Sequence, residues 1–170
     1  VEEARVSLVQ KIGENIQVRR VEVLEGANIA AYRHGLRIGV VVSYEGGDAE
    51  TGKNLAMHIA AFNPVAVDDE DVAADVLARE KDIIEAKAKE SGKPDNIVEK
   101  MIEGGLRKYL DEVTLLRQPY VMDNDKKVGD VLKAEGVKVL GFKRLEVGEG
   151  IEKKQEDFAA EVAATQAANK

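Results

Sequence analysis

The sequence predicts an α+β fold, in which a small antiparallel sheet packs with helices and an antiparallel helical hairpin is inserted. Three observations predict it. Runs rich in β-branched residues lie on both sides of the middle of the chain, two consecutive amphipathic helical patterns lie between them, and glycine and proline mark the turns. Because the β pattern resumes only after the helical pair, we expect the hairpin to interrupt the β-containing part.

β-Branched and alternating segments predict four strands. Arg19 and Arg20 change the phase of alternation in the first strand, which indicates a bulge. A short turn at His34 and Gly35 joins the second and third strands, which predicts a β-hairpin. The predicted strands are residues 16–24, 28–33, 38–44 and 137–147.

Apolar residues spaced three and four apart predict the helices. The acidic run at residues 68–71 lies at a predicted helix start, where the helix dipole favours negative charge. Within the hairpin, Gly92 fits a left-handed C-terminal cap, and Pro94 fits the first turn of the next helix. Gly104 and Gly105 lie inside that helix at a cost of about 1 kcal/mol each, so packing must offset them or the helix bends. The predicted helices are residues 52–62, 69–90, 94–113, 126–135 and a C-terminal helix at 155–167.

The order of elements predicts four units. The first part of the core subdomain covers residues 1–68, and the inserted helical hairpin covers 69–114. The rest of the core follows at 115–150, and a C-terminal helical module at 151–170. A chain of 170 residues fits one compact domain with an appended element. Because the chain begins at Val1 and not at methionine, we expect a fragment or a processed product.

Charge and composition disfavour several classes of function. The chain has 25 Lys and Arg against 32 Asp and Glu, and its net charge of −7 repels phosphates. Nonspecific binding of nucleic acid or of anionic membranes is therefore not expected. There is no cysteine, and the two histidines are far apart, so thiol chemistry and a His-rich metal site are not expected either. No apolar run approaches the ~18 residues of a membrane span and no signal peptide is seen, which predicts a cytoplasmic protein without metal or cofactor.

Residues 47–54 carry the sharpest enzyme-like motif. The segment follows a predicted strand, precedes a predicted helix, and matches a phosphate-binding P-loop at both glycines and at Lys53. However, Asn54 replaces the Ser or Thr that would bind magnesium, and Asp48 and Glu50 place negative charge where phosphates would lie. No βα repeats follow to build a parallel sheet. We therefore predict an ordinary loop; the enzyme alternative is a nucleotide hydrolase, whose nucleotide binding Lys53→Ala would abolish.

The two histidines have different predicted roles. His58 lies in an apolar helical stretch and is predicted to be a packed structural residue. His34 lies at the tip of a predicted hairpin, where it is either an ordinary turn residue or a contact to a partner. The acidic run at 68–71 lacks the glycine spacing of a calcium loop and is interpreted as a helix start. These residues alone indicate an interacting α+β protein with no visible active site.

Several strings in the sequence form an ordered set that covers nearly the whole chain. They are KIGEN at 11–15 with RR at 19–20, YRHG at 32–35, AMHIAA at 56–61, SGKP at 91–94, QPYV at 118–121, and GEGIE at 148–152 with FAAEV at 158–162. A chain with these strings in this order resembles the elongation factor Ts family of bacterial translation proteins.

The resemblance implies a fold and a partner. The fold is the family's second core subdomain with a coiled-coil-like hairpin inserted in it, followed by a C-terminal helical module. The partner is the GTPase elongation factor Tu, and family members also form dimers through this half. The resemblance implies no enzymatic activity: an exchange factor binds the nucleotide-free GTPase better than the nucleotide-bound form, and so promotes GDP release. The positions that resemble the family's contacts to the GTPase are Ile12, Gly13, His34, Val121 and, in the C-terminal module, Phe158.

The chain departs from the family pattern in one important respect. Its 170 residues contain neither the family's N-terminal helical domain nor the core segment with the TDFV motif. The phenylalanine of that motif is implied by the resemblance to disturb the magnesium side of the nucleotide site. We therefore expect this chain to bind the GTPase weakly and to exchange nucleotide poorly. The alternative is a dimerisation or scaffold module that acts through the helical hairpin.

Overall fold

The computed structural model describes residues 1–150, which fold into five helices and five strands. Short 3-10 turns at Asp69–Asp71 and Leu115–Arg117 flank the helical hairpin. The predicted α+β class is confirmed, and the helix predicted at 155–167 lies outside the described residues. In chain order the elements are α1 (Glu2–Ile12), β1 (Asn28–His34), β2 (Ile38–Glu45), α2 (Ala49–Phe62), α3 (Ala74–Glu90), α4 (Asp95–Val113), β3 (Pro119–Tyr120), β4 (Asp123–Lys127), α5 (Val128–Glu135) and β5 (Lys138–Glu146).

β2 is the central strand of a three-stranded antiparallel sheet with the order β1-β2-β5. β1 pairs with one edge of β2, in a register that places His34 opposite Ile38, and β5 pairs with the other edge. The hairpin predicted from residues 28–33 and 38–44 is confirmed, as is the strand predicted at 137–147. The turn starts one residue later than predicted, because His34 still belongs to β1.

α2 covers one face of this sheet, and its apolar side chains meet those of alternating residues on β2. The helix begins after Asp48, whose carboxylate accepts a hydrogen bond from the backbone N–H of Thr51 and thereby caps it. At Gly52 a Cβ atom would lie 2.5 Å from the Tyr44 ring, so the helix can approach β2 this closely only with glycine there. The main core residues are Val40, Val42, Tyr44, Leu55, Ala56, Ile59, Leu115, Tyr120, Val128, Leu132, Val137 and Val139.

α3 and α4 form the predicted helical hairpin, with two differences at the helix starts. α3 begins at Ala74 and not at 69, because residues 69–71 form a separate 3-10 turn and Val72 follows with an extended backbone and a buried side chain. Gly92 adopts the predicted left-handed conformation, with φ +64°. Pro94 lies one residue before α4 and not in its first turn, since its ψ of 149° is extended.

The strand predicted at residues 16–24 is wrong. The segment has no regular secondary structure and follows α1, a helix that the sequence pattern did not indicate. β-Branched residues favour an extended backbone, but a strand also needs a neighbour for its N–H and C=O groups. Within residues 1–150 both edges of β2 are taken by β1 and β5, and no strand pairs with this segment. Its side chains hold it instead: Arg20 meets Glu149 at 2.8 Å, and Glu22 meets Lys143 at 3.3 Å.

β3 and β4 form a second, short hairpin that the sequence did not predict. β4 is Asp-Asn-Asp-Lys-Lys, which contains no β-branched or aromatic residue. The pairing is irregular, with Pro119 opposite Lys127 and Tyr120 opposite Asp123. As a consequence α5 begins at Val128, two residues later than predicted. None of the helices within 1–150 is long and apolar enough to cross a membrane.

Candidate partner-binding surface

Ile12 and Gly13 lie where α1 ends. Ile12 is the last residue of the helix and is 45% exposed. Gly13 has a left-handed backbone, with φ +74°, and its N–H donates to the carbonyl of Val9 over 2.9 Å. A left-handed residue at this position closes the helix, and glycine adopts it without the penalty of a Cβ atom. An apolar side chain is thus presented to solvent beside a fixed turn.

His34 ends β1 and is exposed. Its Nδ1 atom lies 3.2 Å from the hydroxyl of Tyr32, two residues earlier on the same face of the strand. The two rings are tilted by 38° with centroids 6.1 Å apart. The hydroxyl contact and the strand register together orient an imidazole that no core contact holds.

Val121 lies in the turn between β3 and β4 and is half-buried against the core. Its backbone N–H donates to Nδ1 of His58 over 3.2 Å. His58 belongs to α2, is fully buried, and stacks on Phe62 with centroids 4.6 Å apart and planes 8° from parallel. The prediction that His58 is a packed structural residue is confirmed.

Gln118 completes a buried polar network around His58. Its side-chain oxygen lies 3.0 Å from Nε2 of His58, and its amide nitrogen donates to the carbonyl of Glu112 over 2.7 Å. Burial lowers the pKa of His58 below the ordinary value of 6.5, and the hydrogen bond with Gln118 acts in the opposite direction. Because Nδ1 accepts the N–H of Val121, the imidazole is neutral and carries its proton on Nε2, which donates to Gln118.

His34 and Val121 are held by different elements. His34 is fixed by β1, where it pairs with Ile38 of β2. Val121 is fixed by the β3–β4 turn and by its contact with His58 of α2. Ile12 is the last residue of a separate helix, α1, which contributes no residue to the core, and Gly13 caps that helix. Phe158 lies outside the described residues.

In the P-loop-like segment at residues 47–54, carboxylates lie at the start of the helix, where a phosphate would bind. The carboxylate of Asp48 accepts from the N–H of Thr51 over 2.8 Å and from its hydroxyl over 3.1 Å. These hydrogen bonds hold the pKa of Asp48 below its usual range. The hydroxyl of Thr51 also lies 2.9 Å from a carboxylate oxygen of Glu135. The helix N-terminus that would bind a phosphate is thus capped by a carboxylate with a second one nearby, as expected of an ordinary loop.

Sequence reasoning missed two supporting residues. Tyr32 could be linked to His34 from the sequence, because alternation along a strand places residues i and i+2 on one face. The sequence shows Gln118 only as part of a motif, because its contact with His58 spans 60 positions and no local pattern reports it. Among the described residues, no group of three or more His, Asp or Glu side chains is arranged to hold a metal ion.

Comparisons with known proteins identify the family to which this chain belongs. A sequence model of the family described as Elongation factor TS matches residues 1–149. The chain is 95% identical to the elongation factor Ts of Psychrobacter cryohalolentis over 171 aligned positions, and 69% identical to that of Acinetobacter baylyi, also over 171. Both alignments cover 100% of this chain, which spans 58% of the length of these relatives. The chain belongs to the elongation factor Ts family.

Proposed function

We propose that this chain is a binding module for the GTPase elongation factor Tu and contributes to guanine-nucleotide exchange. The observation that carries the proposal is the presentation of residues at the family's contact positions. Ile12 is an exposed apolar residue at a fixed helix end, His34 is an exposed imidazole at a strand end, and Val121 lies in a tethered turn.

The exchange mechanism needs no covalent chemistry. If the module binds the nucleotide-free GTPase more tightly than the GDP-bound form, linkage requires that it weaken GDP by the same factor. A module with equal affinity for both forms would shift nothing, however tightly it bound. Apolar and imidazole groups on rigid elements suit this task, because they can insert between parts of the GTPase.

We further propose a division of labour along the chain. Residues 1–68 and 115–150 supply the docking surface, residues 69–114 form the projecting hairpin, and residues 151–170 with Phe158 add a contact to the nucleotide-binding domain. Because the 170 residues contain no TDFV segment, docking by this chain is weak and GDP release is accelerated little.

The test is release of a fluorescent GDP from elongation factor Tu on addition of the chain, with binding measured in parallel by calorimetry. Binding without faster GDP release supports a docking module that lacks the TDFV segment needed for efficient exchange. Release at the rate of a full-length relative overturns that part of the proposal, and no binding to the nucleotide-free GTPase overturns the whole. His34→Ala is the test variant, and Leu36→Ala is the matched control, since Leu36 is 85% exposed in the adjacent turn.

A second candidate is self-association through the helical hairpin. Ile83 on α3 and Ile97 on α4 are 47% and 37% exposed, which leaves apolar surface on the projecting helices. Sedimentation across a concentration series, with the chain alone, tests this. A monomer at all concentrations excludes it, whereas a dimer broken by Ile83→Glu supports it.

A further inference from the structure

The turn at Val121 and Met122 lacks the local features that usually fix a two-residue β-hairpin turn. Such turns favour glycine or asparagine because one or both central residues need a positive φ. Among residues 1–150 the only residue other than glycine with positive φ is Asn63, so Val121 and Met122 both have negative φ. The flanking ladder is also short, with β3 only two residues long and its register broken. The conformation of this turn must therefore be fixed from outside.

His58 supplies that external contact. Its Nδ1 accepts the N–H of Val121 over 3.2 Å, and its ring stacks on Phe62 and lies near the tilted ring of Tyr120. The imidazole has no exposed surface, so it cannot turn away to water. Leaving the part-buried N–H of Val121 without an acceptor would cost free energy, and here His58 is the acceptor.

Gln118 fixes which nitrogen of His58 can accept. Its amide N–H donates to the carbonyl of Glu112, which directs the amide oxygen toward Nε2 of His58 at 3.0 Å. An amide oxygen can only accept a hydrogen bond, so the proton of the neutral imidazole is on Nε2. Nδ1 is then left as an acceptor. The last turn of α4, α2 and the Val121 turn are thereby connected through one imidazole.

We propose that His58 is a positioning residue that holds the Val121–Met122 turn in the conformation that binds the partner. Gln118 sets the required Nε2–H tautomer. The contacts above support the role of His58 in fixing the turn, whereas the effect of the turn on binding rests on the proposed function. Met122 is 57% exposed, so a turn fixed in this way presents an apolar side chain at its tip.

The first test needs neither a partner nor a variant. Nitrogen-15 spectra of the full chain at neutral pH report the tautomer of each histidine, and amide exchange reports each N–H. The expected result is an unprotonated Nδ1 on His58 and a Val121 amide that exchanges at least tenfold more slowly than that of exposed Met122. A protonated Nδ1, or equal exchange of the two amides, overturns the inference.

The second test compares two substitutions of similar size. In His58→Asn the side-chain oxygen takes the place of Nδ1 and keeps an acceptor for Val121. In His58→Gln the amide nitrogen takes the place of Nε2 and keeps only the donor to Gln118. If His58 acts through Val121, affinity for nucleotide-free elongation factor Tu falls about tenfold more in His58→Gln than in His58→Asn, the loss expected for one buried hydrogen bond.

A purely structural role of His58 predicts a different pattern. The two variants would then lose affinity equally and in proportion to their loss of thermal stability, and the effect would persist when Val121 and Met122 are both replaced by alanine. With positioning, the difference between the variants disappears in that double-alanine background, because both side chains of the turn that His58 positions are gone. If the unmodified chain does not bind the GTPase at all, the proposed function fails, and the spectra and amide exchange still decide whether His58 fixes the turn.

Discussion

Gly105 of α4 lies directly against Ile84 of α3. A Cβ atom at residue 105 would lie 2.7 Å from Cγ2 of Ile84, closer than carbon atoms can approach without movement. The neighbouring Gly104 faces open space, with no atom within 4 Å of an added Cβ. The two adjacent glycines therefore differ in kind: one is required by the packing of the hairpin, and the other is not.

This difference gives a prediction about stability. Gly104→Ala raises the free energy of unfolding by about 0.5–1 kcal/mol, because alanine favours the helix and meets no neighbour. Gly105→Ala gains the same helix propensity but overpacks Ile84 at a cost of about 1–3 kcal/mol, so its stability stays level or falls. Urea denaturation of both variants checks this. Equal stabilisation of the two would show that the helices can separate without cost.

The buried histidine predicts a pH dependence of stability. Burial lowers the pKa of His58 in the folded state, so at pH below 6.5 the unfolded chain binds a proton that the folded chain does not. The free energy of unfolding is therefore not reduced by His58 above pH 6.5. It decreases as pH falls from 6.5 toward the lower pKa that His58 has in the folded state. Tyr120 faces the same ring, but burial raises its pKa, so it stays neutral throughout this window.

The measurement is thermal unfolding at several pH values between 7.5 and 5, with His58→Asn as the control. We expect the unmodified chain to lose stability over this range by more than the variant does. Parallel curves for the two proteins would show that His58 does not titrate differently in the folded and unfolded chains.

Thr114 provides a third prediction. It is fully buried at the end of α4, and its hydroxyl finds no hydrogen-bond partner among the described protein groups. Thr114→Val replaces that hydroxyl with a methyl group of similar shape and should raise stability by about 1 kcal/mol. Thr114→Ser keeps the hydroxyl, removes the methyl group, and should lower stability by a similar amount. Loss of stability in the valine variant would show that a buried water satisfies the hydroxyl.

The fourth prediction concerns His34 and the tyrosine that orients it. His34→Ala should weaken binding to nucleotide-free elongation factor Tu by about tenfold, the size of effect found at strong interface contacts. Tyr32→Phe keeps the ring and removes only the hydroxyl 3.2 Å from Nδ1, so its effect should be smaller. Calorimetry measures both. A larger loss in Tyr32→Phe than in His34→Ala would contradict an orienting role for the hydroxyl.

The sequence predicted correctly those elements that depend on residues next to one another in the chain. The β1–β2 hairpin is set by β-branched residues around a glycine turn, and the cap of the hairpin helix is set by Gly92. The prediction at residues 16–24 failed because a strand depends on a neighbour as well as on its own residues. β4 was missed for the opposite reason, since tertiary contacts place an Asp- and Lys-rich segment in a strand.

The same distinction between local signals and tertiary contacts applies to the candidate surface. The motifs identify the family and mark Ile12, Gly13, His34 and Val121, and the matching family model and relatives confirm the membership. Whether these positions contact the GTPase stays a prediction. No string of residues indicates that His58 accepts the N–H of Val121, because the two lie 63 positions apart and meet only when α2 and the β3–β4 turn share a core.

The sequence by itself thus determined the α+β class, the helical hairpin and the family, because residue spacing and motif order are properties of the chain. Only the tertiary structure decided which of two adjacent glycines the hairpin needs, which nitrogen of His58 is the acceptor, and that residues 16–24 pair with no strand of the described part. These outcomes depend on the distance between segments remote in sequence. Packing and hydrogen bonding fix that distance, and no local pattern encodes it.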